Sequence, residues 1–385
     1  MNEFLKIASQ LQVETITHRR YIHENAEVGM ELPKTVAYIR RQLESYGYEV
    51  KNCGGGLTCT VGNSGSVLML RADMDALPQT EISGEPFSCK TGACHSCGHD
   101  THAAMLLTAA KMLKEREQDL QGTVKFMFES GEEVLGGARA MIQDGILENP
   151  QVDAAIAMHC AGLPTGTLRV FTGAMRGARE FTVHIHGKAS HGAAPHKGVS
   201  ALSVAANIVV QVQQIISMET DSEEVSILTF GSFHAGDAPN INPEEAILRG
   251  TIRAYNMEHL QFLQDRFETI VCSTAKAYRA FAKIDYGGVV PLENNENLVR
   301  EMFSYMKEVS DHCILLEEND KGTDDFAFIS QKVPSMQFNL GTGSEEEGYL
   351  YAGHDPRRTL NEEGMITGAA CLANCAVKWL ANHSK

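Results

Sequence analysis

Residues 66–73 read SVLMLRAD, a near-continuous apolar run that is typical of a β-strand buried on both faces. Two runs of the same kind follow at 122–130 (GTVKFMFES) and 153–160 (DAAIAMHC). The segments between them, HAAMLLTAAKMLKERE and GGARAMIQDGIL, carry apolar residues at helical spacing. This alternation of strands and helices predicts an α/β fold with a mostly parallel, doubly wound sheet.

The middle of the chain has a different pattern, which predicts the order βαββαβ. Its first strand, EFTVHIHGK (180–188), alternates as a half-exposed strand does, and its first helix is the long apolar segment 201–218. The remaining predicted elements are, in order, a strand at 224–233, a strand at 245–255, a helix near 257–279 and a strand at 282–288. This order is the split-βαβ arrangement, a small sheet with helices on one face.

The simplest division of the chain is therefore an inserted domain within a discontinuous one. We expect the inserted domain at 178–290 and the α/β domain at 1–177 and 291–385. A length of 385 residues is enough for two or three domains of about 150 residues each.

The composition narrows the possible partners. The formal net charge is −16, which disfavours nucleic acid and anionic membrane surfaces because phosphate binding needs clustered Lys and Arg. The N-terminal segment lacks the apolar run of a signal peptide, and no run of 18 apolar residues occurs. Ten cysteines are scattered along the chain rather than arranged as a disulfide framework. We expect a cytoplasmic protein with reduced thiols.

Ionisable residues follow the predicted strands at the point where each strand ends. They are Asp73 and Asp75 after the first run, Glu132 and Glu133 after the second, His159 in the third, and Cys97 and His99 before a helix. In an open parallel sheet, ligands bind beyond the carboxyl ends of the strands. Four separate segments thus bring carboxylate, imidazole and thiol groups to one edge, which predicts a metal centre there.

The stretch ACHSCGHDTH (93–102) allows several interpretations by itself. Cys94 and Cys97 form a CxxC, which could be a thioredoxin-like redox pair, a structural zinc knuckle or part of a catalytic metal centre. A haem attachment site is excluded because Gly98 stands where that pattern needs a histidine. Each neighbouring acidic or histidine residue also has an ordinary structural explanation when it is taken alone. Their convergence at strand ends favours the catalytic metal centre.

Seven motifs occur in the order seen in M20-type metallopeptidases, and the chain resembles that family over almost its whole length. The motifs are RADMDALP (71–78), CGHDTH (97–102), GEEVLGGARAMIQDG (131–145), AIAMH (155–159), GKASHGAAPHKG (187–198), NINPEEAILRGTIR (240–253) and GTDDFAF (322–328). The N-terminal HRRYIHENAEVGMEL is similar to the opening signature of the branch that contains hippurate hydrolase, aminoacylases and auxin-conjugate hydrolases. The resemblance implies a zinc-peptidase-like catalytic domain with an inserted lid and dimerisation domain.

The resemblance also implies a centre of two divalent metal ions per subunit. The implied ligands are Cys97, His99, Glu133, His159 and His354. A thiolate, a carboxylate and three imidazoles suit Zn²⁺, Mn²⁺, Co²⁺ or Ni²⁺, whereas Ca²⁺ and Mg²⁺ prefer oxygen ligands alone. Asp75 is implied to orient a ligand, and Asp100, directly after His99, is expected to do likewise.

The remaining roles follow from the same resemblance. Glu132 is expected to act as the general base in metal-assisted hydrolysis of an amide. His191 is implied to stabilise the oxyanion from the partner subunit, which implies a homodimer through the lid. The residues implied to hold the substrate carboxylate are Asn240, Arg253, Gly322 and Thr323. The expected substrate is a small N-acyl amino acid, such as an N-acetyl or N-benzoyl derivative.

Three alternatives remain open at this point. A dipeptidase or carboxypeptidase of the same family would use the same carboxylate contacts. A dithiol oxidoreductase would use Cys94 and Cys97 and would need no metal. A non-catalytic binding relative is disfavoured because the Glu132–Glu133 pair is intact. We expect Arg357 and Arg358, near His354, to form a solvated basic pair.

Overall fold

The computed structural model describes residues 2–384, which form two compact units. The smaller unit comprises Ala174–Leu292 together with Asp320–Thr323, and the larger unit comprises the rest. The segment 320–323 joins the smaller unit because the Asp320 amide donates to the Ala174 carbonyl at 3.0 Å. These bounds begin four residues before and end two residues after the expected 178–290, and residues 1 and 385 lie outside the described residues.

The secondary structure is numbered here in chain order. Up to residue 173 the elements are α1 (Glu3–Gln10), α2 (Gln12–Glu24), α3 (Pro33–Ser45), β1 (Lys51–Cys53), β2 (Gly56–Gly62), β3 (Val67–Asp73), α4 (His99–Lys114), β4 (Thr123–Glu129), α5 (Gly137–Gln143), β5 (Ala154–Ala161) and β6 (Leu168–Phe171). From 174 to 292 they are β7 (Gly177–His186), β8 (Ser190–His191), α6 (Ala201–Gln211), β9 (Ile227–Ala235), β10 (Ile241–Asn242), β11 (Glu245–Ala254), α7 (Met257–Ala277) and β12 (Phe281–Val289). The last elements are α8 (Glu296–Met306), β13 (Cys313–Leu316), α9 (Ala327–Ser330), β14 (Ser335–Gly341) and α10 (Gly364–Asn382).

The larger unit contains an eight-stranded sheet in the order β1-β2-β4-β3-β5-β14-β6-β13. The neighbours β4, β3, β5 and β14 run parallel. Strand β2 pairs antiparallel with β1 and β4, whereas β6 pairs antiparallel with β14 and parallel with β13. Every residue of β3 is buried, as its apolar run predicts for a central strand. The α/β fold is therefore confirmed, and the sheet departs from parallel pairing only away from its centre.

Helices cover the larger sheet because its strands are apolar on both faces. Helices α4 and α10 pack against each other and against β3, while α5 packs against α9 and β4. The core between these layers includes Leu68, Leu70, Phe126 and Phe128, all fully buried. Burial of side chains of this size stabilises the fold by about 1.5–3 kcal/mol each.

The smaller unit contains a four-stranded antiparallel sheet in the order β12-β7-β11-β9. Helices α6 and α7 pack against each other and against this sheet. Phe181, Val183 and Ile185 of β7 are buried, while the alternate residues of the strand are more exposed. One face of the sheet is thus apolar and covered by helices, as period-2 alternation requires. The α-helix of the predicted segment 201–218 ends at Gln211, and a π-helical turn follows at Ile215–Glu219.

Two helical stretches have the length and hydropathy of a membrane span when composition alone is considered. They are Ala201–Glu219 and Gly364–Asn382. The second stretch is mostly buried inside the larger unit, where an apolar core helix has the same composition. The first stretch packs one side against α7 and exposes Val210 and Met218 on another.

A fully buried arginine, Arg71 on β3, joins three parts of the larger unit. Its guanidinium contacts the carboxylates of Asp73 and Glu129 at 2.6 Å each, and those of Asp324 and Asp325 at 3.2 Å. Burial alone would raise the pKa of Asp73, but Arg71 and the nearby histidines hold it well below its usual range. Burial and the charge of Glu129 raise the pKa of Asp325 well above its usual range. The cluster thus combines one carboxyl group with a lowered pKa and one with a raised pKa around a single guanidinium.

A second buried network explains the N-terminal motif HRRYIH. Arg19 donates to Asp100 at 2.7 Å and to Glu362 at 2.9 Å. His23 lies between two acids, with Nδ1 at 2.8 Å from Asp100 and Nε2 at 3.0 Å from Glu81. Because Asp100 follows the first residue of α4, helix α2 holds the N-terminus of α4 in place.

We expect the stability of the protein to fall between about pH 6.5 and 9 through His23. Burial by itself would lower the pKa of His23, but Asp100 and Glu81 outweigh burial and raise it to about 9, against an ordinary 6.5. A raised pKa in the folded state contributes stability below pH 6.5 that is lost as the pH rises through 9, at most about 3 kcal/mol. The loss of thermal stability over this range should be smaller in His23→Gln than in the wild type. His196→Gln, at an exposed histidine, is the control, and equal losses in all three proteins would contradict the assignment.

Candidate metal centre

Three predicted site residues, Asp75, Glu133 and His159, lie at the carboxyl ends of neighbouring parallel strands of the larger sheet. Asp75 comes two residues after the end of β3, and Glu133 comes four residues after the end of β4. His159 is near the carboxyl end of β5, and His99 is the first residue of α4. Since β4, β3 and β5 are adjacent and parallel, their carboxyl ends meet.

The structure brings all five predicted ligands together. Cys97 Sγ lies 3.4 Å from His159 Nε2, and His354 Nε2 lies 3.6 Å from Glu133 Oε1. His99 Nε2 lies 3.9 Å from the same oxygen of Glu133. The donor atoms form overlapping groups of three, each with its atoms within 4.8 Å of one another. Overlapping groups of this size can hold two ions that share ligands.

The hydrogen bonds of the His99 and His159 imidazoles leave Nε2 of each ring free for a metal. His99 Nδ1 donates to the Asp75 carbonyl at 2.9 Å, and His159 Nδ1 donates to the Cys160 carbonyl at 2.8 Å. Each ring therefore turns the lone pair of Nε2 towards the other donor atoms. His99 Nε2 and Glu133 Oε1 are buried and have no hydrogen-bond partner among the described residues. A divalent cation would satisfy both atoms.

The protonation of the donor set also fits a cation. Burial raises the pKa of the Cys97 thiol to about 12 and raises the pKa of Glu133 above its usual range. These groups therefore become ligands in their charged forms only when a positive charge lies beside them. The mixture of one thiol, one carboxylate and three imidazoles suits a transition-metal ion or Zn²⁺.

Asp75 positions the two adjacent glutamates. Its Oδ1 accepts from the Glu132 amide at 3.0 Å, and its Oδ2 accepts from the Glu133 amide at 3.2 Å. Glu132 is only 7% exposed, and its carboxylate lies 3.9 Å from His99 Nε2. Burial and the charge of Asp324 raise the pKa of Glu132 well above that of an ordinary glutamate. A carboxyl group with such a pKa is suited to carrying a proton.

Two other titratable groups near the centre, His102 and Cys160, are already paired. His102 Nδ1 donates to Asp73 at 2.6 Å, and His102 Nε2 accepts from the Cys160 amide at 2.8 Å. The Cys160 thiol donates to the Cys97 carbonyl at 3.2 Å. Although these residues also lie near possible ligands, their hydrogen bonds assign them to the support of the centre rather than to the metal.

The structure separates Asp100 and Cys94 from the ligand atoms. The Asp100 carboxylate accepts from Arg19 and His23, so it anchors the start of α4 rather than contacting a ligand imidazole. Cys94 pairs through its backbone with Leu77, and burial raises the pKa of its thiol to about 11. A dithiol oxidoreductase needs a lowered thiol pKa, so the environment of Cys94 argues against that alternative.

The two arginines after His354 differ in exposure. Arg357 has a side chain that is 49% exposed and pairs with Asp355 at 2.7 Å, as a solvated residue does. Arg358 is only 9% exposed and donates to backbone carbonyls, so the prediction of a solvated basic pair is wrong for this residue. Sequence alone could not separate adjacent arginines in an irregular loop.

His191 and Asn240 lie side by side in the smaller unit. His191 on β8 pairs with Ile241 on β10, and the Gly192 amide donates to the Asn240 carbonyl at 2.8 Å. The Ala193 amide donates to His191 Nδ1 at 3.0 Å. The neutral ring of His191 therefore carries its proton on Nε2, which leaves Nε2 as a hydrogen-bond donor.

The other predicted carboxylate contacts also lie in the smaller unit, and Gly322 and Thr323 contact an arginine, Arg176, that the sequence did not point to. Arg253 is on β11, and Thr323 Oγ1 donates to the Arg176 carbonyl at 3.2 Å. The Arg176 amide donates to the Gly322 carbonyl at 3.2 Å, and Arg176 Nε donates to the Tyr255 hydroxyl at 2.9 Å. The register of β7 with β11 brings Arg176 beside Tyr255, and no local motif marks it.

Comparisons with known proteins agree with these motifs. Residues 69–378 match the model of peptidase family M20/M25/M40. An IAA-amino acid hydrolase ILR1-like 4 of Arabidopsis thaliana is 33% identical, over 94% of this chain and 84% of that protein. Thermostable carboxypeptidase 2 of Saccharolobus solfataricus is 31% identical, over 94% of both proteins. N-acetylcysteine deacetylase of Bacillus subtilis is 30% identical, over 94% of this chain and 96% of that protein.

A solved structure supports the same assignment. The YXEP protein of Bacillus subtilis, described as a dinuclear metal-binding peptidase from the M20 family, is 26% identical. It superposes with a TM-score of 0.82 over 97% of this chain and 99% of that chain. Together with the grouped ligand atoms, these similarities place the chain among metal-dependent amidohydrolases, and it belongs to peptidase family M20/M25/M40.

Proposed function

We propose that the protein hydrolyses the amide bond of N-acyl amino acids, releasing a carboxylic acid and a free amino acid. The observation that carries this proposal is the grouping of five metal-ligand side chains beside the buried carboxylate of Glu132. We propose that the ligands Cys97, His99, Glu133, His159 and His354 hold two divalent ions. We further propose that the enzyme acts in the cytoplasm.

When bound, a divalent ion can lower the pKa of a coordinated water to about 7. Glu132 would accept the proton of that water and then donate a proton to the leaving nitrogen. Asp75 would keep the Glu132 carboxylate in place through the backbone, because it accepts from the amides of both Glu132 and Glu133. The raised pKa of Glu132 suits both steps.

The residues of the smaller unit would bind the rest of the substrate. His191 Nε2 carries the ring proton, so it would donate to the oxyanion that develops from the amide carbonyl. We propose that this histidine comes from the partner subunit of a homodimer formed through the smaller unit. The substrate carboxylate would be held by Asn240, Arg253, Gly322 and Thr323, and Arg253 offers the planar fork that suits this group.

The names of the relatives support this substrate class. The Arabidopsis thaliana relative is named as an IAA-amino acid hydrolase and the Bacillus subtilis relative as an N-acetylcysteine deacetylase. N-acetylcysteine is itself an N-acyl amino acid, as the proposed substrate is. The Saccharolobus solfataricus relative is named as a carboxypeptidase, so peptide hydrolysis is the second candidate. Both substrate types end in a free carboxylate, and a direct comparison of substrates separates them.

The first test combines a substrate panel with a variant of the proposed base. N-acetyl amino acids, N-benzoyl amino acids and dipeptides are assayed after chelation and after addition of Mn²⁺ or Zn²⁺. We expect metal-dependent hydrolysis that favours the acyl derivatives. Glu132→Gln should lose about 10²–10⁴-fold in kcat while it still binds two ions, because the water would lack its proton acceptor.

The matched control for this test is Glu345→Gln, which changes an exposed glutamate in the larger unit. Its kcat should equal that of the wild type. Full activity of Glu132→Gln would contradict the assignment of the base. Preference for dipeptides over every acyl derivative would favour the second candidate.

Arg253→Met should weaken the binding of substrates that carry a free carboxylate. A lost hydrogen bond to a charged group costs about 1.5–3 kcal/mol, so we expect KM to rise by about 10–150-fold for an N-acetyl amino acid. KM for the corresponding amide, which lacks the carboxylate charge, should change far less. Arg249→Met, four residues earlier on β11, is the control, and equal effects on both substrates would exclude a carboxylate contact.

A mixing experiment tests whether His191 acts across a dimer. His191→Ala and Glu132→Gln should each be inactive as homodimers. If the histidine comes from the partner, a hybrid dimer contains one site with Glu132 and with the partner's His191. Coexpression should then restore about a quarter of wild-type activity, because half of the dimers are hybrids with one complete site each. No recovery in isolated hybrid dimers would show that His191 does not act across the interface.

A further inference from the structure

A buried guanidinium contacts the segments that carry three of the proposed metal ligands. Arg358 is 9% exposed, and its Nη1 donates to the carbonyls of Ser96 at 2.9 Å and Cys97 at 2.8 Å. Its Nη2 lies 3.6 Å from the thiol sulfur of Cys160. The other deeply buried arginines, Arg19 and Arg71, pair with carboxylates instead. Two of the three contacts of Arg358 are instead to backbone carbonyls, and the third is to a cysteine sulfur.

Each of these contacts falls on a segment that carries a proposed ligand. Ser96 and Cys97 form the loop that presents the Cys97 thiol, and Cys160 follows His159 on β5. Arg358 itself is four residues after His354, in the same irregular loop. One side chain thus connects the three segments that present Cys97, His159 and His354.

The loop that carries His354 depends on contacts of this kind. His354 has a φ of 68°, a left-handed conformation that non-glycine residues rarely adopt. Its amide donates to the Ser96 carbonyl at 3.1 Å, the same carbonyl that accepts from Arg358. Surrounding contacts must hold such a conformation, because it costs about 1–3 kcal/mol by itself.

The packing against Cys160 is equally close. A side-chain carbon added at Gly98 would lie 2.2 Å from the Cys160 sulfur, so the Cys97 loop rests directly on this thiol. Gly98 has a φ of 101°, which only glycine adopts readily. The Cys97 loop is therefore held between Cys160 on β5 and Arg358 in the loop that carries His354.

We propose that Arg358 is a positioning residue that sets the affinity of the metal centre. It would do so by holding the segments of Cys97, His159 and His354 at the spacing that two ions require. Groups that orient metal ligands typically change metal affinity by 10–100-fold when they are replaced. The inference rests on the metal centre of the proposed function and makes no assumption about the substrate.

The test measures Mn²⁺ binding to the full-length, chelator-treated protein by electron paramagnetic resonance. We expect the wild type to bind two ions and Arg358→Gln to bind at least one of them 10–100-fold more weakly. Arg357→Gln is the matched control, because the adjacent arginine is exposed and pairs with Asp355. Its Kd values should stay within about twofold of the wild type, as expected for a surface pair.

Two further readouts separate positioning from other roles. A positioning role predicts that saturating Mn²⁺ restores kcat in Arg358→Gln, with KM for substrate unchanged. It also predicts a smaller metal-induced rise in Tm than in the wild type. A raised KM with unchanged Mn²⁺ affinity would mean that Arg358 binds substrate. An equal fall in Tm with and without Mn²⁺, at unchanged affinity, would mean a purely structural role. Either result overturns the proposal.

Milder variants keep the proposal falsifiable if Arg358→Gln does not fold. Arg358→Lys keeps the charge but not the fork that reaches two carbonyls, and Cys160→Ala removes one acceptor. Both should bind Mn²⁺ more weakly than the wild type and Arg357→Gln do, and wild-type affinity in both would overturn the proposal. A wild type that binds no Mn²⁺ and ignores chelators would instead refute the proposed function itself.

Discussion

Buried carboxylates outnumber buried cations at the carboxyl ends of the strands in the larger sheet, and this excess of negative charge constrains the groups around it. Arg71 is a single guanidinium among four carboxylates, and burial and the charge of Glu129 raise the pKa of Asp325 well above its usual range. Beyond this cluster lie Glu132 and Glu133, whose pKa values burial raises in the same way. Buried carboxylates at this density require cations or donors, since an unpaired buried charge is very costly. The carboxyl ends of these strands therefore form an environment that favours the binding of positive ions.

Support for the centre comes from backbone contacts as much as from side chains. Asp75 accepts from two consecutive amides, so it positions both glutamates without competing for the metal. Arg19 fixes Asp100 at the start of α4, and Arg358 fixes the carbonyls of the Cys97 loop. Ligands that come from distant parts of a chain need such contacts, because each irregular segment would otherwise be free to move.

Much of this architecture could be predicted from the residues, and the reasons differ by region. The central strands were predictable because β3 is apolar throughout, and only a strand covered on both faces has that pattern. The antiparallel pairs outside the centre of the sheet were not predictable, since nothing in the sequence of β2 or β6 indicates whether the neighbouring strand runs parallel or antiparallel to it. The proposed ligand set came from the family motifs, and the strand ends predicted that these residues would lie close together, as they do in the structure. No pattern in the sequence indicated that Arg358 is buried or that Arg176 lies beside the predicted carboxylate contacts. Both properties depend on contacts with residues far away in the sequence.

The sequence by itself determined the alternation of elements, the kinds of ligand atoms and the family to which the chain belongs. These properties are local, because periodicity and motif spacing are read along a single segment. Only the tertiary structure decided which nitrogen of each histidine is free, which of two adjacent arginines is buried and which carboxyl groups have raised pKa values. Those properties depend on burial and on partners brought together by folding, and no single segment contains that information.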